Sequence, residues 1–242
     1  MRKRTTLRPI APHKTPAFIS YSHLDRHFGA QAKAVLEAFG FETFLAHEDL
    51  QISAEWRERV LEELRQCILF VPLLSKSFVG SEWAAQEIGF VVSRPEVVIA
   101  PVSLDDTTPF GFISHLQSRR ITAEGITQKL LVEPLARKLP RQLLPVLIYT
   151  SAESPTFRAA EENMRPLVPL FKLFTPEEAQ ILASAAVENG QIWSAQLCRD
   201  EFLPEFIRLQ SHNIKPTTLR ALQYQIEHDS WYSESSPSTG DE

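Results

Sequence analysis

Glycine is scarce in this 242-residue chain, at eight residues, and neither GxGxxG nor GxxxxGK[ST] occurs. Both usual phosphate-cradling loops are therefore excluded. GxSxG is absent too, which removes the nucleophile elbow of the α/β hydrolases. There are only two cysteines, Cys67 and Cys198, too few and too far apart for a disulfide framework or a CxxC pair. They fit small buried thiols in a reducing cytoplasm. The seven histidines show neither HExxH nor Cys/His metal spacing, so no metal or resident cofactor is expected. No run of 18 apolar residues is present, so no membrane span is expected. The opening MRKRTTLRPIAPHK is basic, but no apolar stretch follows it, and it reads as a solvated arm rather than a secretory signal. Positive charge is in deficit overall, with a net charge of -5, which argues against a general nucleic-acid binder.

What is present is a hydrophobic content of 43%, enough for a sizeable core, arranged in alternating short strands and amphipathic helices. Residues 17–22, 41–46, 68–74 and 97–104 read as strands, and 119–122 as a short fifth. Between them, Asp25 can cap a helix reaching Phe39 and ended by Gly40, and Ser53 a helix to about Cys67. A helical turn is expected near Phe112, and a helix over 124–139 disturbed at Pro134. Strand–helix alternation at this spacing predicts βαβ units and an open parallel sheet.

The pattern changes after Leu139. Prolines punctuate a stretch in which 143–149 reads as extended. Then Thr175-Pro176-Glu177-Glu178 is a helix start, with a capping Thr, Pro at the first position and Glu at the third. Further helices are expected around 192–198, 201–209 and 217–228. The resulting division is a basic arm over 1–16, an α/β domain over 17–139, a linker over 140–153, an all-α domain over 154–232 and a disordered tail over 233–242.

The stretch 81–92, SEWAAQEIGFVV, organises the chemistry. Ser81 is a good N-cap and Glu82 suits the first turn. At roughly 100° per residue, Trp83, Ala84, Glu87, Ile88, Phe90 and Val91 share one arc. Glu87 thus points where the apolar residues point. A carboxylate there loses hydration and needs either a partner or a job, so a structural ion pair and a catalytic role both stand. In an open α/β sheet, ligands bind beyond the carboxyl ends of the strands. The residues that converge there are Ser22 and His23 after the first strand, Asp49 and Trp56 around the loop after the second, and Trp83 and Glu87. Two indoles and a carboxylate suit a flat aromatic ligand carrying hydroxyls.

Three blocks, FISYSHLD, FLAHEDLQISAEW and ILFVPLLSKSFVGSEWAAQE, resemble in content and order the Toll/interleukin-1 receptor (TIR) domain in its bacterial form. The resemblance covers about 17–139. It implies a flavodoxin-like fold with five parallel strands and NAD as substrate. Trp83 to Glu87 matches the family's WxxxE pattern, which makes Glu87 the catalytic residue. By the same resemblance, 47–53 is the mobile loop that gates the site, Trp56 stacks on the nucleotide, and Ser22 and His23 line the pocket. Some members carry a basic residue after the Tyr, where this chain has Ser22 and His23, which leaves phosphate contacts there open. The implied reaction is cleavage of the nicotinamide–ribose bond to give nicotinamide and ADP-ribose or a cyclic isomer, in bacterial anti-phage defence. Self-association through the TIR domain is implied, and the C-terminal helices are assigned to oligomerisation or to an unknown trigger. Two rivals remain: a non-catalytic TIR–TIR adaptor, and another flavodoxin-like nucleotide enzyme such as a nucleoside deoxyribosyltransferase.

Overall fold

A computed structural model of the chain describes residues 15–46 and 54–228. These divide into two compact units, 15–143 and 144–228. The first is an open sheet of parallel strands. β1 (Thr15–Ser20), β2 (Phe41–Ala46), β3 (Leu69–Leu74), β4 (Val98–Ile99), β5 (Val102–Ser103) and β6 (Arg119–Arg120) run in the order β2-β1-β3-β5-β6, with β4 also paired to β3. β4 and β5 occupy one position in the sheet, so the five expected strands appear with the fourth interrupted. The break has a local cause. β4 pairs with Leu69 and Phe70 and β5 with Leu73 and Leu74, and the skipped stretches contain Pro72 and Pro101. Neither proline has an N–H to give to the ladder.

Register explains the core on one face. Phe18 lies opposite Phe44 of β2 and Phe70 of β3, with ring centroids 5.4 and 5.7 Å apart. Trp56 continues the row at 5.6 Å from Phe44. α2 (Ala54–Gln66) and α4 (Glu82–Val92) cover this face with Val60, Leu64, Ala84, Ile88 and Val91. A buried Phe contributes about 2–3 kcal/mol on area alone, and Phe18 and Phe70 are fully buried in this row. α1 (Arg26–Ala38) buries Ala32 and Leu36, and Gly40, at φ 82°, turns the chain into β2. α3 (Lys76–Val79) is a single turn.

Several expectations need correction. β1 stops at Ser20, not Ser22, because the Ser22 hydroxyl accepts from the Leu24 backbone N–H and opens a 3-10 turn over His23–Asp25. Asp25 does not cap α1; its carboxylate accepts instead from the Ser75 hydroxyl at 2.6 Å. The turn near Phe112 is present as Gly111–Ile113. α5 (Gln128–Lys138) starts four residues later than expected, capped by Thr127, and carries Pro134 inside it. Residues 143–149, read as extended, belong to helix α6 (Pro140–Ala152), within which the division between the units falls. Residues 1–14 of the expected arm, Ser53 and the expected tail lie outside the described residues, while Thr15 and Pro16 already belong to β1.

The second unit is all helix beyond α6: α7 (Phe157–Met164), α8 (Pro176–Glu188), α9 (Gly190–Trp193), α10 (Leu203–Gln210) and α11 (Pro216–Glu227), joined by 3-10 turns and one π-helical turn. The capping box at Thr175 and Glu178 is present in full. Asn189 closes the last turn of α8, and Gly190 opens α9. Phe171, Phe174 and Phe206 meet at 5.1–6.0 Å and anchor this core.

Candidate functional site

The site lies on the covered face of the sheet, at the carboxyl end of β1 beneath α4. Side chains alternate along a strand, so Ser20, two residues beyond Phe18, points to the same face as the phenylalanine row. α4 is set above it by Ser81, which accepts from the Ala84 N–H at 3.1 Å. The helical period then carries Glu87 down onto β1. The Ser20 hydroxyl donates to Glu87 Oε2. Ser20 is 1% exposed and Glu87 8%. The carboxylate is thus nearly removed from water and held from a residue 67 positions away in sequence.

Glu87, Ser20, Tyr21, Trp56, Phe78 and Trp83 line a cavity of about 20 Å³. Both indoles are half-buried, and Trp56 also stacks on Phe44. Phe78 is held at the back by α3, whose cap Ser75 accepts from the Phe78 N–H at 3.1 Å. Tyr21 points to the opposite face from Ser20, against α1. An added Cβ on Gly29 would stand 3.1 Å from the Tyr21 ring, so a glycine there admits the ring.

Three of the six expected residues meet here: Glu87, Trp83 and Trp56. Ser22 and His23 do not line the cavity. Ser22 is buried but caps the turn, and His23 is exposed on it. Asp49 and the expected gating loop lie outside the described residues; Ala46, which precedes them, is part of the cavity wall. Sequence reasoning missed Ser20 and Tyr21 as lining residues. The alternation from Phe18 points at Ser20, once the strand is ended correctly. Among the described residues, no group of three or more His, Cys, Asp or Glu could hold a metal.

The arrangement defines a class: an open, flavodoxin-like α/β domain with a buried carboxylate and two indoles at the carboxyl edge of its sheet. A family model described as TIR domain matches residues 17–131. The N-terminal unit is a TIR domain. Such domains either cleave NAD or serve as signalling adaptors, and they self-associate. Among curated proteins, none matches the chain. No helix of the described residues is long and apolar enough to cross a membrane.

Proposed function

We propose that the TIR domain cleaves the nicotinamide–ribose bond of NAD, with Glu87 as the catalytic carboxylate. The observation that carries this reading is the placement of Glu87: a carboxylate on the apolar arc of α4, nearly buried, held by Ser20 and lining a cavity with Trp83 and Trp56. Nicotinamide is a cation that departs neutral, so it needs little general-acid help. Its loss develops oxocarbenium character at the anomeric carbon. A carboxylate beside the ribose stabilises that charge and hydrogen-bonds the sugar hydroxyls, the electrostatic logic of glycoside cleavage. Water then captures the cation to give ADP-ribose, or an internal nucleophile closes a cyclic isomer. Trp83 and Trp56 supply flat faces for the rings. NAD is the substrate, and the reaction needs no resident cofactor.

A cavity of about 20 Å³ takes about one water and no dinucleotide. Its walls must part for NAD to enter. In our reading the resting enzyme opens on self-association, in a cytoplasmic defence pathway, with the helical unit receiving the trigger. The same small cavity is the specific support for a second reading, a non-catalytic TIR adaptor. One experiment separates them. Concentrated protein is incubated with NAD, and free nicotinamide is measured by chromatography for wild type and Glu87→Ala. The enzyme reading expects release by wild type and a loss of at least about 100-fold in the variant, the scale of removing a principal electrostatic stabiliser. Equal release by both ends the role of Glu87. No release from folded wild type, dilute, concentrated or crowded, supports the adaptor.

A further inference from the structure

Away from Glu87, the TIR unit has two larger cavities, of about 340 and 330 Å³. The first opens between the end of α4 and β4, the second between β5 and α5. Ile99, His115, Leu116 and Lys138 line both, so the two adjoin as neighbouring lobes of one apolar surface. The fold makes this gap. β6 pairs only with β5, through Val102 and Ser103, whereas β4 is bonded only to β3. Beside β4, the edge strand stops short, and the groove occupies the space it leaves.

Each lobe has the size of a small-molecule site. Its floor is apolar, formed by Ile99, Leu116 and Leu135. Its charge is of one sign: Arg94, Arg119 and Lys138 line the lobes, and no carboxylate does so among the described residues. In a chain of net charge -5, that concentration of cations is a local reversal. Arg94 is already committed, donating to the Leu64 and Cys67 carbonyls and pairing with Glu96. The side chains of Arg119 and Lys138 make no hydrogen bond or ion pair among the described residues, nor does that of His115. Two free cations at the mouth of an apolar groove are complementary to a ligand with the opposite layout.

We propose that this groove binds a small organic anion: a body of one or two rings laid over Ile99, Leu116 and Leu135, with a sulfonate, phosphate or carboxylate against Lys138 and Arg119. The site is separate from Glu87 and independent of whether the domain cleaves NAD.

The probe is 8-anilinonaphthalene-1-sulfonate, titrated against the full chain at low salt and followed by its fluorescence. The expected result is a saturable single site, weakened about fivefold or more in the double variant Lys138→Gln, Arg119→Gln, which removes two partly exposed charge pairings with the sulfonate at once. Raising the salt to about 0.5 M should weaken wild type similarly, by screening. Lys33→Gln, on α1, should change nothing. Both groove substitutions are at exposed positions, and an unchanged thermal melt confirms that the variant is folded. Uncharged N-phenyl-1-naphthylamine should bind more weakly than the sulfonate. Equal affinity in wild type and the double variant overturns the proposal. So does binding that never saturates, or an uncharged probe that binds as tightly.

Discussion

At the scale of single residues, a hydrogen bond across 67 positions of sequence ties Ser20 to Glu87. Charge-assisted bonds of this kind contribute about 1.5–3 kcal/mol, and each 1.4 kcal/mol is about tenfold in rate. If Glu87 acts on the ribose, Ser20→Ala should lower nicotinamide release by about 10- to 100-fold, with the fold intact. An unmoved rate would make the bond incidental. Glu87 is legible in sequence because helical periodicity alone places it on the apolar arc. Ser20 is not, because the apolar run reads on to Ser22, and the hydroxyl that ends the strand caps its own turn. The two thiols give a second test. Burial pushes Cys67 up to about 11, against a smaller opposing effect of Arg94, and Cys198 up to about 12. The unfolded chain loses these protons near the ordinary value of 9.0, and the native state holds them longer. Above that pH the unfolded state binds fewer protons, so stability falls as pH rises from 9 toward 11–12. Neither thiol should react with a disulfide reagent at about pH 8 until denaturant is added. Rapid labelling of the native protein would contradict their burial.

At the scale of elements, the legible pieces are those with a strong local signal at both ends. α4 has its Ser81 cap and clean arc, and α8 has its capping box. α6 is hidden in the sequence because Pro140 and Pro145 suggest a broken, extended stretch. Pro140 in fact takes the first helical position, where its missing N–H costs nothing. The interrupted fourth strand reads as one run, since apolar composition does not reveal which residues find ladder partners. Two substitutions test the elements. Thr175→Ala removes one half of the α8 capping box and should cost about 1 kcal/mol in denaturant unfolding. Gly29→Ala would press a methyl against the Tyr21 ring at 3.1 Å, a distance tighter than ordinary packing. The expected cost is about 1–3 kcal/mol, offset in part by the better helix propensity of Ala. A stabilised Gly29→Ala would mean that the Tyr21 ring yields freely.

At the scale of the whole molecule, the change of pattern after Leu139 announces two bodies, but it does not fix the seam. The division falls inside α6, between Leu143 and Leu144, where the chain is continuous helix. Each body has its own aromatic centre: the Phe18–Phe44–Phe70 row in one, the Phe171–Phe174–Phe206 cluster in the other. Separate cores predict separate unfolding, with α6 as the covalent route for cooperation. Ile19 in β1 and Ile192 in α9 are each fully buried, one in each body. Replacing either by Val removes one methylene, at about 0.5–1.5 kcal/mol, enough to shift a melting transition of a body this size by a few degrees. In calorimetry of the full chain, Ile19→Val should lower one heat-absorption peak and leave the other in place, and Ile192→Val should do the reverse. A single peak, moved equally by both, would mean that the two bodies unfold as one cooperative unit.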